Sequence, residues 1–303
     1  MRTIDLGGVT VDRIVENESL WLDPFWLFHN IDQPTIDRNL TWMQDFLFDR
    51  AANRISLSFH SFLIRAGGFN MLVDTCVGNH KDRPGTPFWN QLAGDRYMRD
   101  LARHGLTPAD IHMVMCTHLH VDHVGWNTRL ENGRWVPTFP NARYIFGRDE
   151  FEGHSARQAA TPETPINRGS WHDSVLPVVE AGQAELVGFD FVHGLGLEER
   201  VTLIPTPGHT PGHFCVNVEG NRGEGLITGD AIHHPIQFRE PHLVNNGDMD
   251  VPRARATREA LTERLADSGE LMLPIHFAGP TAGRIRRDGA ESFIRVHRLT
   301  LRA

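Results

Sequence analysis

The chain has 303 residues, of which 40% are hydrophobic and 22% charged, and its formal net charge at pH 7 is -8. This length allows one large α/β domain or two smaller ones, and the negative charge argues against a nucleic-acid partner. The sequence has no run of about 18 apolar residues that would span a membrane, and the start MRTIDLGGVTVDR lacks a secretory-signal layout. We therefore expect a cytoplasmic protein with no nucleic-acid or membrane partner.

The predicted elements are mostly strands. The segment to about residue 53 is aromatic-rich and predicts a first strand, then a helix or loop that covers part of the molecule. Strands are predicted at 55–64, 69–75, 111–117, 143–147, 201–206, 214–219, 225–229 and 271–275. Gly67-Gly68 predicts a hairpin, helices are expected at 96–104 and 252–267, and the turn-rich segment 151–193 is expected to cover a site.

Histidine and aspartate follow the ends of four predicted strands, at His118, His209, Asp230 and His276. Polar groups that converge at strand ends are a common way for α/β proteins to build a site. The three cysteines, in contrast, lie in or beside apolar runs without a CxxC pair. Buried thiols are therefore expected, rather than disulfides or a thiolate zinc site.

The segment THLHVDHVGW (117–126) contains a His-x-His-x-Asp-His motif. Alternate residues of an extended stretch face the same way, so His118 and His120 can bind one ion together. If the chain turns near Gly125, Asp122 and His123 point elsewhere and can begin a second site. Imidazole and carboxylate ligands without thiolate suit catalytic zinc, and iron, manganese or cobalt stay open.

This motif resembles the signature of the metallo-β-lactamase superfamily, which continues with a distant His, an Asp and a final His. The resemblance implies that His209 in TPGHTPGH completes a first site, that Asp230 in LITGD bridges both ions, and that His276 in LPIH completes a second. It also implies that Asp74 in LVDT orients a ligand. The full implied ligand set is His118, His120, Asp122, His123, His209, Asp230 and His276.

The resemblance covers landmarks from about residue 55 to 277 and implies an α/β fold, a four-layer αββα sandwich, as a single domain over 1–303. An N-terminal extension (about 1–53) and a covering insertion (about 151–193) would be added to it. It also implies a dinuclear hydrolase with two divalent ions, zinc first, whose bridging hydroxide opens a lactone or cleaves a carboxylic ester. Asp122 or Asp230 would pass a proton to the leaving group.

Within the superfamily, LVDTCVGNHK, CTHLHVDHVGW and GDAIHHPIQF resemble the lactonase and methyl-parathion-hydrolase-like group. Quorum-quenching lactonases often carry a Tyr three residues after the bridging Asp, where this chain has His233. His233 could donate a hydrogen bond to substrate or could only contact a ligand. True β-lactamases of the superfamily generally lack an Asp at the position of Asp230, so a β-lactam substrate is not expected.

Two alternatives to the lactonase or esterase stay open. One is a phosphotriester hydrolase with the same two ions. The other is a mononuclear iron dioxygenase acting on a thiol or persulfide, against which the complete second site argues. Aromatic candidates for the substrate pocket, each of which could instead be ordinary core, are Phe25, Trp26, Phe88, Trp89 and Trp126. The aromatic N-terminal segment also makes a homodimer plausible.

Overall fold

The computed structural model of the chain describes residues 3–196 and 198–287 and the backbone of 288 and 293–298. Its strands are β1 (Ile4–Asp5), β2 (Thr10–Leu22), β3 (Phe48–Asp49), β4 (Arg54–Ala66), β5 (Phe69–Val73), β6 (Met113–Cys116), β7 (Thr128–Glu131), β8 (Arg134–Pro137), β9 (Arg143–Gly147), β10 (Ala184–Val187), β11 (Val192–Gly194), β12 (Arg200–Pro205), β13 (Phe214–Gly220), β14 (Gly223–Ile227), β15 (Leu271–Leu273), β16 (Gly283–Asp288) and β17 (Phe293–Arg298). Its α-helices are α1 (Pro24–Leu27), α2 (Gln33–Asn39), α3 (Arg96–Arg103), α4 (Arg148–Ala160), α5 (Leu176–Glu180) and α6 (Val251–Leu265).

Two large sheets form the centre of the molecule. The first has the order β1-β2-β4-β5-β6-β9-β10 with β3 paired to β4, and the second runs from β11 to β17 in sequence order. The predicted hairpin is confirmed, since β4 and β5 pair antiparallel across Gly67 and Gly68, whose φ values of 55° and 87° suit a tight two-residue turn. Parallel pairs need long crossovers, and α3, α4 with α5, and α6 lie in three of these connections.

The central strands of both sheets are buried on both faces, which explains their continuous apolar runs. Along β5, Met71 and Val73 belong to the core between the two sheets, whereas Leu72 belongs to the core between the first sheet and its helices. Leu261 of α6 packs on the outer face of the second sheet. This order of helix, sheet, sheet and helix is the αββα sandwich expected from the sequence.

The N-terminal segment is more regular than the sequence predicted. Strand β2 has 13 residues and pairs with β4 from Thr10 opposite Arg65 to Leu22 opposite Ile55, so this part of the predicted extension belongs to the first sheet. Only the part after β2 covers the sandwich: Phe28 and Ile36 pack in a separate core with Phe59 of β4.

The predicted insertion over 151–193 also needs correction. Most of it builds the helical layer and the edge of the first sheet, as α4, α5 and β10, because Val175 and Val178 bury their side chains against that sheet. One turn of it, at Asn167 and Arg168, reaches the cavity described below. Within the described ranges, no helix combines the length and apolarity needed to cross a membrane.

Candidate metal centre

Four strands of the sandwich end beside one another and carry the predicted ligands just past their ends. The loop from His118 to His123 follows β6, His209 follows β12, Asp230 follows β14 and His276 follows β15. Because β14 and β15 run parallel, Asp230 and His276 leave the same edge of the second sheet.

The structure brings all seven predicted ligand residues together. They form two groups in which the potential ligand atoms lie within 4.8 Å of one another, and whose members are His118, His120, His209 and Asp230 in the first group and Asp122, His123 and His276 in the second. Asp230 contacts both. Its Oδ2 lies 3.2 Å from His209 Nε2, and its Oδ1 lies 3.1 Å from His123 Nε2 and 3.0 Å from His276 Nε2.

The second group has the nitrogen arrangement of a cation site. His276 Nδ1 lies 3.0 Å from the Ser58 carbonyl oxygen, which can only accept, so this nitrogen must carry the proton. His123 Nδ1 lies 2.9 Å from Asp74 Oδ2. The two Nε2 atoms then face each other at 3.3 Å, and both also lie against Asp230 Oδ1. Because both Nδ1 atoms are engaged elsewhere, these two Nε2 atoms and the carboxylate oxygens beside them fit a metal ion in place of the ring protons.

The ring nitrogens of the first group are arranged in a similar way. His209 Nδ1 lies 3.0 Å from Asp248 Oδ1, so its Nε2 is the atom turned to the other ligands, 2.9 Å from His120 Nδ1 and 3.2 Å from Asp230 Oδ2. His118 Nε2 is buried without a hydrogen-bond partner, and an unsatisfied buried nitrogen is costly unless a ligand or ion engages it. Both groups therefore fit metal ions on the geometry of their own rings.

The charge balance of the site also suits cations. Burial would lower the pKa of His123, but Asp230 and Asp74 hold it well above the usual histidine range. Burial would likewise raise the pKa of Asp230, but His123 and the other rings around it hold it well below the usual range. Protons on these rings occupy the place that a divalent ion can take, because metal binding to histidine releases protons.

Asp74, predicted to orient a ligand, lies directly behind His123. Its Oδ2 accepts from the ring as described, while its Oδ1 accepts the backbone N–H of Thr117 at 2.8 Å. The carboxylate therefore holds both the His123 ring and the start of the ligand loop. Such partners of ligand rings set their orientation and raise their basicity.

Asp248 and Glu150 are functional residues that the sequence reasoning missed. Asp248 orients His209, and Glu150 is a buried carboxylate of α4 that accepts from the backbone of Leu119 at 3.0 Å and of Gly212 at 3.1 Å. Glu150 thus joins the loop of His118–His123 to the loop that follows His209. Neither residue lies in a recognisable motif, and acidic side chains on helices and loops usually face solvent.

His233 lies in the cavity wall, with its Nε2 3.0 Å from Asp230 Oδ2. Burial lowers the pKa of His233, against the attraction of Asp230, so the ring favours the neutral form. The structure thus places it against a ligand carboxylate, and its predicted contact with substrate stays a prediction.

A cavity of about 190 Å³ opens above the ligand groups. Besides ligands and His233, its walls are formed by apolar and amide side chains and one arginine: Leu22, Trp26, Leu27, Leu57, Phe59, Trp89, Val121, Asn167, Arg168, Asn245 and Asn246, with Gly247. Trp26 and Trp89 thus occupy the predicted position.

The other predicted pocket aromatics lie elsewhere. Trp126 stacks on Tyr97 of α3 with ring centres 5.2 Å apart and donates its indole N–H to Glu16 at 2.7 Å, because the turn at Gly125–Asn127 directs it into the helical layer. Phe88 packs edge-on against Trp26 at 5.3 Å, outside the lining. Phe25 is 46% exposed and does not line the cavity either.

Comparison with known proteins places the chain in a family. The sequence profile of the Metallo-beta-lactamase superfamily matches residues 60–276, so the chain belongs to that superfamily. It is 26% identical over 209 residues to a probable metallo-hydrolase of Mycobacterium tuberculosis, covering 63% of this chain and 63% of that protein. The chain therefore matches less than two thirds of the length of this relative.

Two further similarities concern lactonases. The chain is 28% identical over 199 residues to an N-acyl homoserine lactonase of Bacillus cereus, which covers 62% of this chain and 69% of that protein. Its structure also superimposes on AidC, a dizinc quorum-quenching lactonase solved with its product, with a TM-score of 0.75 and 18% identity over 98% of this chain and 97% of that chain. At this identity the second similarity establishes the fold.

Proposed function

We propose that this chain holds two divalent metal ions, zinc first, and hydrolyses a lactone or a carboxylic ester. The observation that carries the proposal is the position of Asp230 between two ligand groups, with one carboxylate oxygen toward each. The N-acyl homoserine lactonase of Bacillus cereus supports the substrate class as a relative. Divalent ions at these groups supply Lewis acidity, which activates water and polarises a carbonyl oxygen.

The residues around the ions have separate tasks in this proposal. Asp122 lines the cavity and is the less buried carboxylate of the ligand set, with 12% of its side chain exposed against 5% for Asp230. It is therefore placed to hand a proton to the leaving oxygen. Trp26, Phe59 and Trp89 form the apolar walls that would exclude water and hold the acyl portion of the substrate.

The complete second group argues for two ions rather than the single iron of a thiol or persulfide dioxygenase. His123 and His276 are buried and, with Asp122, form a second group of potential ligands beside Asp230, which a mononuclear site would not use. The phosphotriester reaction needs the same two ions and enters the test as a substrate. The cytoplasmic location and the homodimer stay predictions, and sedimentation of the purified chain tests the latter.

Metal analysis coupled to a substrate panel tests the proposal. Purified chain would be assayed for zinc, iron, manganese and cobalt, and then with an acyl-homoserine lactone, a simple lactone, an aryl ester, a phosphotriester and a β-lactam. We expect two zinc ions per chain and lactone or ester hydrolysis that a chelator removes and zinc restores. Iron with oxygen uptake, or hydrolysis of the β-lactam alone, would refute it.

A further inference from the structure

One wall of the cavity carries a charge that the proposed hydrolysis does not use. Asn167 and Arg168 form this wall, on the turn between α4 and the helical segment Trp171–Val175. Both residues have left-handed backbone conformations, with φ values of 48° and 54°. Non-glycine residues adopt this region at a cost and keep it where the surrounding structure holds them.

The turn is held against the ligand loop itself. Asn167 donates its side-chain N–H to the carbonyl of Leu119 at 3.0 Å, and Leu119 lies between His118 and His120. Ile166, directly before the turn, is buried in the core beneath it. Arg168 is thus presented at a defined place relative to the metal centre, although its own side chain is exposed.

Arg168 has an aromatic neighbour and lacks a carboxylate partner among the residues for which ion pairs are described. Its guanidinium lies 5.9 Å from the Trp89 ring centre, within cation–π range. The acid nearest in sequence among those described as paired, Asp173, is engaged by Arg83, whose two terminal nitrogens lie 2.7 and 2.9 Å from its carboxylate. Among the cavity-lining residues named above, Arg168 alone carries a permanent positive charge.

When metal ions are bound, the charge around the cavity favours an anion next to Arg168. Asp122 and Asp230 are the acidic residues of the lining, and both would be matched by divalent ions in the metal-loaded protein. The unpaired guanidinium then adds to a positive field, and its planar set of donors matches an oxyanion with two parallel hydrogen bonds.

We propose that Arg168 is a specificity-determining residue that binds an anionic oxygen group of the substrate, so that the preferred substrate is a lactone or ester bearing a second, negatively charged group such as a carboxylate. This inference rests on the proposed hydrolysis for the reaction, and adds the substrate class. The guanidinium lies 5.9 Å from the Trp89 ring centre, and the contact of Asn167 with Leu119 fixes the turn that carries it.

Matched esters test the assignment with the zinc-loaded protein. The probes are mono-4-nitrophenyl glutarate, which carries a carboxylate, and 4-nitrophenyl pentanoate, which lacks it. Wild type should prefer the anionic ester by about ten-fold in kcat/KM, since charge-assisted hydrogen bonds are the strong ones. Arg168→Met should abolish this preference by raising KM for the anionic ester about ten-fold more than for the neutral one.

Two further variants test whether the preference depends on the charge of Arg168 or on a general change in the protein. Arg168→Lys keeps the charge and should retain part of the preference, with salt weakening it. Arg99→Met, which removes an arginine exposed on α3 and paired with Asp95, should behave as wild type. A preference for the anionic ester that survives Arg168→Met would put the carboxylate on the metal ions and overturn the assignment, as would a wild type without preference.

Binding of the unreactive amides separates this inference from the hydrolysis. Glutaranilic acid and pentananilide are the matched pair, and calorimetry measures their affinities for wild type and Arg168→Met. If neither ester is cleaved but glutaranilic acid binds more tightly in an Arg168-dependent way, the hydrolysis fails and the anion site stands. If both esters are cleaved equally, the hydrolysis stands and the anion site fails. If no ester is cleaved and both amides bind alike, both proposals fail.

Discussion

The predicted metal ligands form the floor of the cavity, and Trp26 and Arg168 lie at its mouth. These two regions differ in how firmly their side chains are held. On the floor, ligand rings form hydrogen bonds with buried acceptors: His123 with Asp74, and His276 with the Ser58 carbonyl. At the mouth, Trp26 is half-buried and Arg168 exposed, on segments outside the sheets. The floor is therefore preorganised for one kind of chemistry, while the mouth can change with the substrate without disturbing it.

Removing a ligand from the floor should have the largest effect. His276→Ala takes away one of the three members of the second group, so the metal content should fall from two ions to one per chain. We expect kcat/KM to fall at least about a thousand-fold, since a catalytic metal ion contributes several kcal/mol to transition-state stabilisation. Metal analysis and ester kinetics measure both, with His104→Ala, on the helical layer, as the control. Full activity with one ion would contradict the dinuclear proposal.

The next largest effect is expected from the ion-pair cluster of Asp173, Lys81 and Arg83, which lies near the mouth of the cavity. Asp173 faces buried Lys81 at 3.6 Å and Arg83 at 2.7 Å, close in sequence to Arg168. Asp173→Asn leaves these charges without a carboxylate and should lower the free energy of unfolding by about 3 kcal/mol. Urea denaturation measures it, with the exposed Asp149→Asn as control. A loss below about 1 kcal/mol would show that the cluster does not depend on this charge.

The same variant should respond to pH. Burial lowers the pKa of Lys81 to about 7 from 10.5, although Asp173 acts to raise it. Between these values the unfolded chain binds more protons at this lysine, so its contribution makes the free energy of unfolding rise with pH. Without Asp173 the charged form is disfavoured further, so the deficit of Asp173→Asn should be larger at pH 6.5 than at pH 9. An equal deficit at both values would exclude Lys81 from the effect.

A change behind the floor should weaken metal binding rather than destroy the site. Asp248→Asn keeps the shape but loses the charge that holds His209 Nδ1 at 3.0 Å. Loss of such a partner typically lowers metal affinity about 10- to 100-fold, which competition with a chelator measures. The exposed Asp149→Asn is again the control. Unchanged affinity would mean that the backbone alone orients His209.

The smallest effect should come from the apolar part of the mouth. Trp26→Ala opens one cavity wall and should raise KM about five-fold for long-chain aryl esters but not for acetate esters, because less apolar surface is buried. Phe25→Ala, which removes an exposed neighbour outside the lining, is the matched control. Equal changes in both variants would assign the effect to the segment instead of the wall.

Much of the floor could be predicted from the sequence because its signals are local. The His-x-His-x-Asp-His spacing and the strands that end at Asp230 and His276 depend on neighbouring residues. The remaining partners could not be predicted. Asp248 orients His209 across 39 positions, and Glu150 reaches Gly212 across 62, and no local pattern distinguishes these carboxylates from solvated ones.

By itself, the sequence determined the strands that precede the ligand residues and the His-x-His-x-Asp-His motif, since apolar periodicity and short-range spacing encode these features. The resemblance of that motif to a known superfamily added His209, Asp230 and His276. Only the tertiary structure decided which side chains face the substrate. Trp126 lies three residues beyond His123 yet turns into the helical layer, onto Tyr97, while Arg168, distant in sequence, lines the cavity. Side-chain direction in irregular segments is set by packing against distant elements, and that information is absent from any local stretch of the chain.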